Sequence, residues 1–455
     1  MDAQHRFQPG SVRTFRILDR EYDPSTRTAR FRYGFDDGER FEETVTFETP
    51  PSGADELDRG GLDRALLHLH IAAGTSYYKA AAPPVVAVES DGLTAAEREF
   101  HRRLYDDGLR EFAVTNGLPV PRPVELRASG DPRPPPDPAA GRSGRRGGLV
   151  VPIGGGKDSM VLIEAVRGSG PRLFAVNPHP LTVSLAGQTG LELLVARRRL
   201  SPNLAELNRR GALNGHVPIT AIVSLVALAG SFVYGYDSVA MAVERSASEE
   251  TVLVDGVAVN HQFSKSLAFE RLLAGLVAGS IDPGLTYGSA LRPYSELAIA
   301  RSFAGLPQYH GTFCSCNAAF RQGAGPDDRW CGHCPKCRFV GLVLAPFLSP
   351  EALTAVIGRD LFADPAQIPG FAALMSDEDK PFECVGERRE SAVALRLLAE
   401  QPRWRDSVVV AALADRARSL VSDRDVTAAL APAEGLGFPD PAVADAVADL
   451  LAGAP

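Results

Sequence analysis

Six consecutive residues carry the densest chemical potential in the chain: Gly154, Gly155, Gly156, Lys157, Asp158 and Ser159, directly after the apolar run 149–153. Glycines let backbone N–H groups approach an anion closely, and a helix starting near Asp158 points the positive end of its dipole at the same spot. Lys157 adds a point charge and Ser159 a hydroxyl in the first turn. The common nucleoside-triphosphatase loop needs a glycine five residues before its second glycine and Ser or Thr just after the lysine; Val151 and Asp158 stand there, so that pattern fails. The plain alternative is a glycine turn closing an ordinary βα unit.

A second constellation is the cysteine cluster. Five of the six cysteines fall between Cys314 and Cys337, which is the clustering of a metal site in a reducing compartment. Cys331, Cys334 and Cys337 form overlapping C-x-x-C steps whose short spacers turn the sulfurs toward one point, as tetrahedral zinc requires. The fourth ligand is Cys316 or Cys314, with His333 weaker. A closed four-cysteine site is structural; a thiol redox pair is the competing reading.

Other reactive side chains are scattered. Glu244 and Arg245 follow the apolar run 239–243, where a carboxylate for magnesium or a ribose and a guanidinium for an anion would be useful; an ion pair of purely structural value competes. His261 and Lys265 are four apart and share a face if their segment is helical. Cys384 stands alone in the segment 380–387 and can exchange protons if cations lower its pKa, or pack as a small apolar group. Tyr77, Tyr78 and Lys79 offer stacking faces and a cation, though core packing suits the tyrosines equally.

The elements that must hold these groups are legible from periodicity. Residues 12–49 alternate in short bursts and predict an antiparallel meander, and 60–117 change to helical spacing, giving an N-terminal α+β domain over 1–120. Residues 121–148, rich in Pro and Gly, predict a linker. From 149 to about 345 strand candidates alternate with helices: 149–153, a helix at 158–167, 172–177, a helix near 187–197, a helix at 218–232, and 238–244. Such alternation builds an α/β parallel sheet with ligands at the carboxyl ends of its strands. Residues 346–455 read as a helical region. The 455 residues, 45% hydrophobic and 23% charged, fit a globular enzyme, and a net charge of −8 argues against nucleic acid as partner. With no membrane-length apolar run and no signal-like start, a cytoplasmic location is expected.

The glycine loop resembles the pyrophosphate (PP) loop of the ATP pyrophosphatases, Ser-Gly-Gly-x-Asp-Ser, matched by Gly155, Gly156, Lys157, Asp158 and Ser159 with Gly154 replacing the first serine. The resemblance implies an adenine-nucleotide alpha-hydrolase-like core that splits ATP between its α and β phosphates with magnesium. Loop and knuckle together are similar to 7-cyano-7-deazaguanine synthases, but only over 149–340. Further segments, 73–79, 214–218, 244–248, 260–266, 291–297 and 380–387, make the chain resemble the ATP-dependent UDP-N-acetylmuramoyl-L-alanyl-L-glutamate epimerases of peptidoglycan synthesis. That resemblance implies the substrate UDP-MurNAc-L-Ala-L-Glu, a D-glutamate product, AMP and diphosphate, and a companion ligase that adds L-glutamate. It gives Lys265, Cys384, His261, Glu244 and Arg245 as candidates for catalysis, and Tyr77, Tyr78, Lys79 and Arg292 for substrate binding. Modification of a nucleobase by a related ATP pyrophosphatase, and a zinc-stabilised module that only binds nucleotide, are the rival functions.

Overall fold

The computed structural model describes residues 6–50, 59–137, 147–320, 329–376, 380–381, 383 and 385–454. Its strands are β1 (Thr14–Asp23), β2 (Thr28–Phe35), β3 (Arg40–Phe47), β4 (Val85–Val88), β5 (Glu125–Ala128), β6 (Leu149–Pro152), β7 (Arg172–Val176), β8 (Leu193–Arg199), β9 (Ser238–Met241), β10 (Val252–Val254), β11 (Val257–Val259) and β12 (Thr286–Ser289). Apart from the small β10–β11 hairpin they form one ten-stranded sheet in the order β12-β9-β6-β7-β8-β3-β2-β1-β4-β5. The fold is α/β, with a large, mostly parallel central sheet and many helices.

The expected meander exists as β1–β3, antiparallel throughout. It is not a separate sheet, because Thr44–Phe47 of β3 pairs antiparallel with Ala196–Arg199 of β8 and joins the meander to the parallel strands. Strand β8 lies where the sequence suggested a helix near 187–197. The helix occupies Pro180–Thr189 instead, ended by Gly190 in the left-handed conformation, and residues rich in helix-formers extend because β7 and β3 supply ladder partners on both sides. Part of the expected linker is likewise ordered: β5 adds to β4 in parallel at the sheet edge.

The two faces of the sheet bury different neighbours. Val150, Phe174, Val239 and Met241 face a core shared with the N-terminal helices, while Val151, Leu173 and Ala240 face a core shared with the C-terminal helices. On the first face the helix Ile219–Tyr234, apolar all round, packs on Arg59–Ala73. Gly61 permits that contact, since a Cβ there would lie 2.0 Å from the Phe232 ring. Among the described residues no helix is long and apolar enough to cross a membrane.

Within the parallel block, β6 pairs with β7 on one side and β9 on the other. The chain runs β6, β7, β8 outward and then crosses back to β9 and β12, so the order reverses at β6. A crevice opens at such a switch point, outside the carboxyl ends of the strands, and ligands of open α/β sheets bind there.

Candidate active site

The glycine loop leaves the carboxyl end of β6 at this switch point. Gly155 adopts φ +98°, which an L side chain rarely tolerates. Gly156 precedes the helix Lys157–Ala165, and a Cβ on it would meet Ser315 Oγ at 3.1 Å. At Gly154 a Cβ meets nothing within 4 Å, so a serine would fit there without moving the loop. Thr182 Oγ1 donates to Gly154 O at 3.3 Å, and Cys314 N donates to Gly155 O at 3.0 Å. Ser159 is buried, its hydroxyl donating to Gly156 O at 3.1 Å.

Lys157 turns inward, 2% exposed, and ion-pairs with Asp158 and Glu296. Burial opposes its charge, but the two carboxylates raise its pKa above that of an ordinary lysine. Glu244, just beyond β9, completes the group: carboxylate oxygens of Asp158, Glu244 and Glu296 lie within 4.8 Å of one another. Burial, then the charge of Asp158, pushes Glu296 up to about 8; the same two causes raise Glu244, with Lys265 opposing. Glu390 is held up by burial and by Glu296 while accepting from Leu297 N at 2.7 Å and Ser246 Oγ at 2.8 Å. This concentration of oxygen ligands around one point suits a hard divalent cation such as magnesium.

Glu244 and Lys265 are fixed by Arg292. Its guanidinium donates to Glu270 Oε2 at 2.8 Å, to Glu244 O at 2.7 Å and to Lys265 O at 2.8 Å. Arg292, expected to bind substrate, is 2% exposed and instead ties two site segments together. A fork with several rigid donors does this and an ammonium does not.

Beside the loop, the sulfurs of Cys316, Cys331, Cys334 and Cys337 lie within 4.8 Å of one another. The pairs 316–334, 331–337 and 334–337 are 3.9, 3.7 and 3.5 Å apart. Zinc–sulfur bonds of about 2.3 Å in a tetrahedron give edges of roughly 3.8 Å, so the four sulfurs fit one zinc ion. Cys314 stays outside, its thiol donating to Arg329 O at 2.8 Å and pushed up to about 11 by burial. His333 also faces away, hydrogen-bonded through Nδ1 to Cys331 O at 2.8 Å and exposed.

Family models place this architecture. The MurL N-terminal domain matches residues 6–290 and the MurL C-terminal domain residues 312–428. The chain belongs to the MurL family. It is 44% identical over 441 residues to the UDP-N-acetyl-alpha-D-muramoyl-L-alanyl-L-glutamate epimerase of Salinispora tropica, covering 94% of each chain. Proteins of the same description from Xanthomonas oryzae pv. oryzae and Micromonospora sp. are 40% and 43% identical, covering 89% and 86% of this chain and 90% and 88% of theirs. No solved structure matches. As a MurL-family epimerase the protein is an isomerase, which displaces the purely nucleotide-binding module.

The structure places the remaining residues singled out from the sequence as follows. Tyr77 and Tyr78 lie in the core: Tyr77 stacks on Tyr33 and Phe41 at 4.9 Å between centroids, and Tyr78 meets Tyr105 edge-on at 5.0 Å. Both rings are fully enclosed by this packing, so neither offers a face to a uracil ring. Lys79 Nζ bonds Asn214 Oδ1 at 2.6 Å and Gly215 O at 3.1 Å, bracing the segment 214–218. His261 and Lys265 are not on one helical face; His261 precedes a 3₁₀ turn, Phe263–Lys265, that Lys265 ends. His261 contacts Glu111 beside His216, while Lys265 senses Glu244. Arg245 donates to Pro293 O at 3.4 Å and Ala428 O at 3.3 Å, fastening the C-terminal helices to the edge of the site. Cys384 lies outside the described residues; on either side of it, Lys380 ion-pairs with Glu249 and Arg388 N donates to the same carboxylate at 3.3 Å. Glu296 and Glu390 were missed from sequence. Glu296 follows Ser295, the N-cap of its helix, and an acid there reads as ordinary capping.

Proposed function

We propose that this MurL-family protein uses ATP to epimerise the terminal L-glutamate of UDP-MurNAc-L-Ala-L-Glu to D-glutamate in the cytoplasm, for peptidoglycan synthesis, after a companion ligase has added that glutamate. The observation that carries the reading is the meeting of the glycine loop with Asp158, Glu244 and Glu296 at the switch point of the sheet, in a chain whose relatives are named as that epimerase.

A carbon beside an ionised carboxylate is a very weak acid, because deprotonation places a second negative charge next to the first. In the proposed reaction the α-carboxylate oxygen attacks the α-phosphorus of ATP, a C–O–P bond forms, the α–β bridging bond breaks, and diphosphate leaves with the electron pair. Backbone N–H groups of Gly154–Ser159 receive the phosphates. A magnesium ion on Asp158, Glu244 and Glu296 would offset phosphate charge, and Lys157 would exchange a carboxylate partner for phosphate. The acyl group now withdraws electrons and the α-proton becomes removable. A base takes it, an acid returns one to the opposite face, and water releases AMP and the free carboxylate. Lys265 and Cys384 are the two proton carriers in this scheme: Lys265 is held through its carbonyl by Arg292, which also holds the carbonyl of Glu244, and Cys384 lies in sequence well apart from the five cysteines of 314–337. Cys316, Cys331, Cys334 and Cys337 would hold a zinc ion, which would stiffen the segment against which the loop rests.

Adding hydroxylamine to protein, ATP, magnesium and the L-glutamyl precursor tests the activated acid. A glutamyl hydroxamate formed together with AMP supports it, and turnover that yields ADP contradicts it.

A further inference from the structure

Outside the acidic cluster, one set of side chains has the composition of a transition-metal site. Ligand atoms of Glu111, His216 and His261 lie within 4.8 Å of one another. Glu111 Oε2 contacts His261 Nδ1 and is 3.9 Å from His216 Nδ1, and the two imidazoles are 4.5 Å apart between centroids. All three side chains are partly buried, at 12%, 26% and 12% exposure.

The three residues come from distant stretches, and each is braced. Glu111 is on the helix Arg110–Thr115. Arg110, next to it, donates to Ala258 O at 2.9 Å and draws in β11, the strand that leads to His261. Asn116, at the other end of that helix, donates to Asn214 O at 3.0 Å, and Lys79 grips Asn214 and Gly215 from below. A Cβ on Gly215 would meet Phe112 at 3.1 Å, so this glycine lets the loop carrying His216 close on the helix carrying Glu111. The backbone N–H of His261 is bonded to Thr251 Oγ1 at 3.4 Å. Support of this kind fixes ligand positions before a ligand arrives.

We propose that Glu111, His216 and His261 bind a divalent transition-metal ion of the zinc class, distinct from both the four-cysteine site and the acidic magnesium cluster. Two imidazoles and one carboxylate form a three-ligand set with a vacant coordination position, the arrangement that takes water or an anionic oxygen of a bound molecule. The metal would also clamp the N-terminal helices to the loops of the catalytic sheet.

Cobalt(II) titration of the full-length metal-depleted protein tests this. The expected result is one equivalent with intense sulfur-to-cobalt charge transfer, from the cysteines, and another lacking that band but showing imidazole nitrogen couplings by pulsed electron paramagnetic resonance. His216→Ala and His261→Ala each abolish the imidazole-coupled equivalent and retain the thiolate one, which reports that the chain is folded; Glu296→Gln leaves both. A wild-type protein with no imidazole-coupled cobalt, or a coupled equivalent that survives both histidine substitutions, overturns the proposal.

Discussion

Cys314 N bonds the carbonyl of Gly155 at 3.0 Å, so the chain entering the cysteine cluster is hydrogen-bonded to the middle of the glycine loop. Ser315 extends the contact by lying 3.1 Å from where a Cβ on Gly156 would be. The approach to the four-cysteine cluster and the glycine loop are thereby mechanically connected. Cys337→Ser should remove zinc and weaken ATP binding by about 10- to 100-fold, the equivalent of the ~1–3 kcal/mol lost when a buried hydrogen bond is broken. Zinc content measured alongside ATP affinity checks this, and unchanged ATP affinity in zinc-free protein contradicts it.

Two neighbouring glycines should respond oppositely. Gly155 holds φ +98°, so Gly155→Ala strains the loop by about 1–3 kcal/mol and is expected to raise the KM for ATP about tenfold or more. Gly154→Ser has open space and should leave activity near that of the parent. Steady-state kinetics on both variants is the measurement.

The carboxylate cluster predicts a pH dependence of stability. Burial raises Glu296 from 4.5 to about 8 and Glu387 to about 7, and raises Glu244 and Glu390. The folded protein therefore binds more protons than the unfolded chain between about pH 4.5 and 8, and stability contributed by these groups falls as pH rises through that window. Lys157, whose raised pKa gives stability that persists until pH exceeds the ordinary lysine value, does not reverse the slope. Without divalent ions the Tm should drop from pH 5.5 to 8, and the gain on adding magnesium should grow over the same range. A magnesium effect independent of pH contradicts this assignment.

Proton transfer should separate from adenylation. Cys384→Ala and Lys265→Met are expected to lower epimerisation by about 100-fold or more, in the range of general acid–base contributions, while ATP–diphosphate exchange driven by the precursor stays within a few-fold of the parent. Parallel loss of both activities in either variant removes that residue from proton transfer.

Much of this site was legible in the sequence because its parts are local. The apolar run ahead of Gly154 announces strand, loop and helix, and the spacing of Cys331, Cys334 and Cys337 announces a ligand set. What needed the fold was everything brought together across the sheet. Glu296 reaches Lys157 from 139 residues away because β9 and β12 return to the far side of β6, and Cys316 rather than Cys314 turns inward only once the loop is seen to bond Cys314 N. Tyr77 and Tyr78 misled because an aromatic pair before a lysine looks the same whether it lines a pocket or fills a core. Residues 193–199 misled because ladder partners outweigh intrinsic helical preference.

Release of the α-proton by the proposed adenylation is read out in heavy water. Protein, magnesium, ATP and the L-glutamyl precursor are incubated in D₂O, and AMP, glutamate chirality and α-deuterium are followed together. Deuterated D-glutamate should appear together with AMP, both abolished by omitting ATP and sharply reduced by Asp158→Asn; inversion or α-deuteration without nucleotide, or AMP formation with no α-deuterium, would overturn the proposed mechanism.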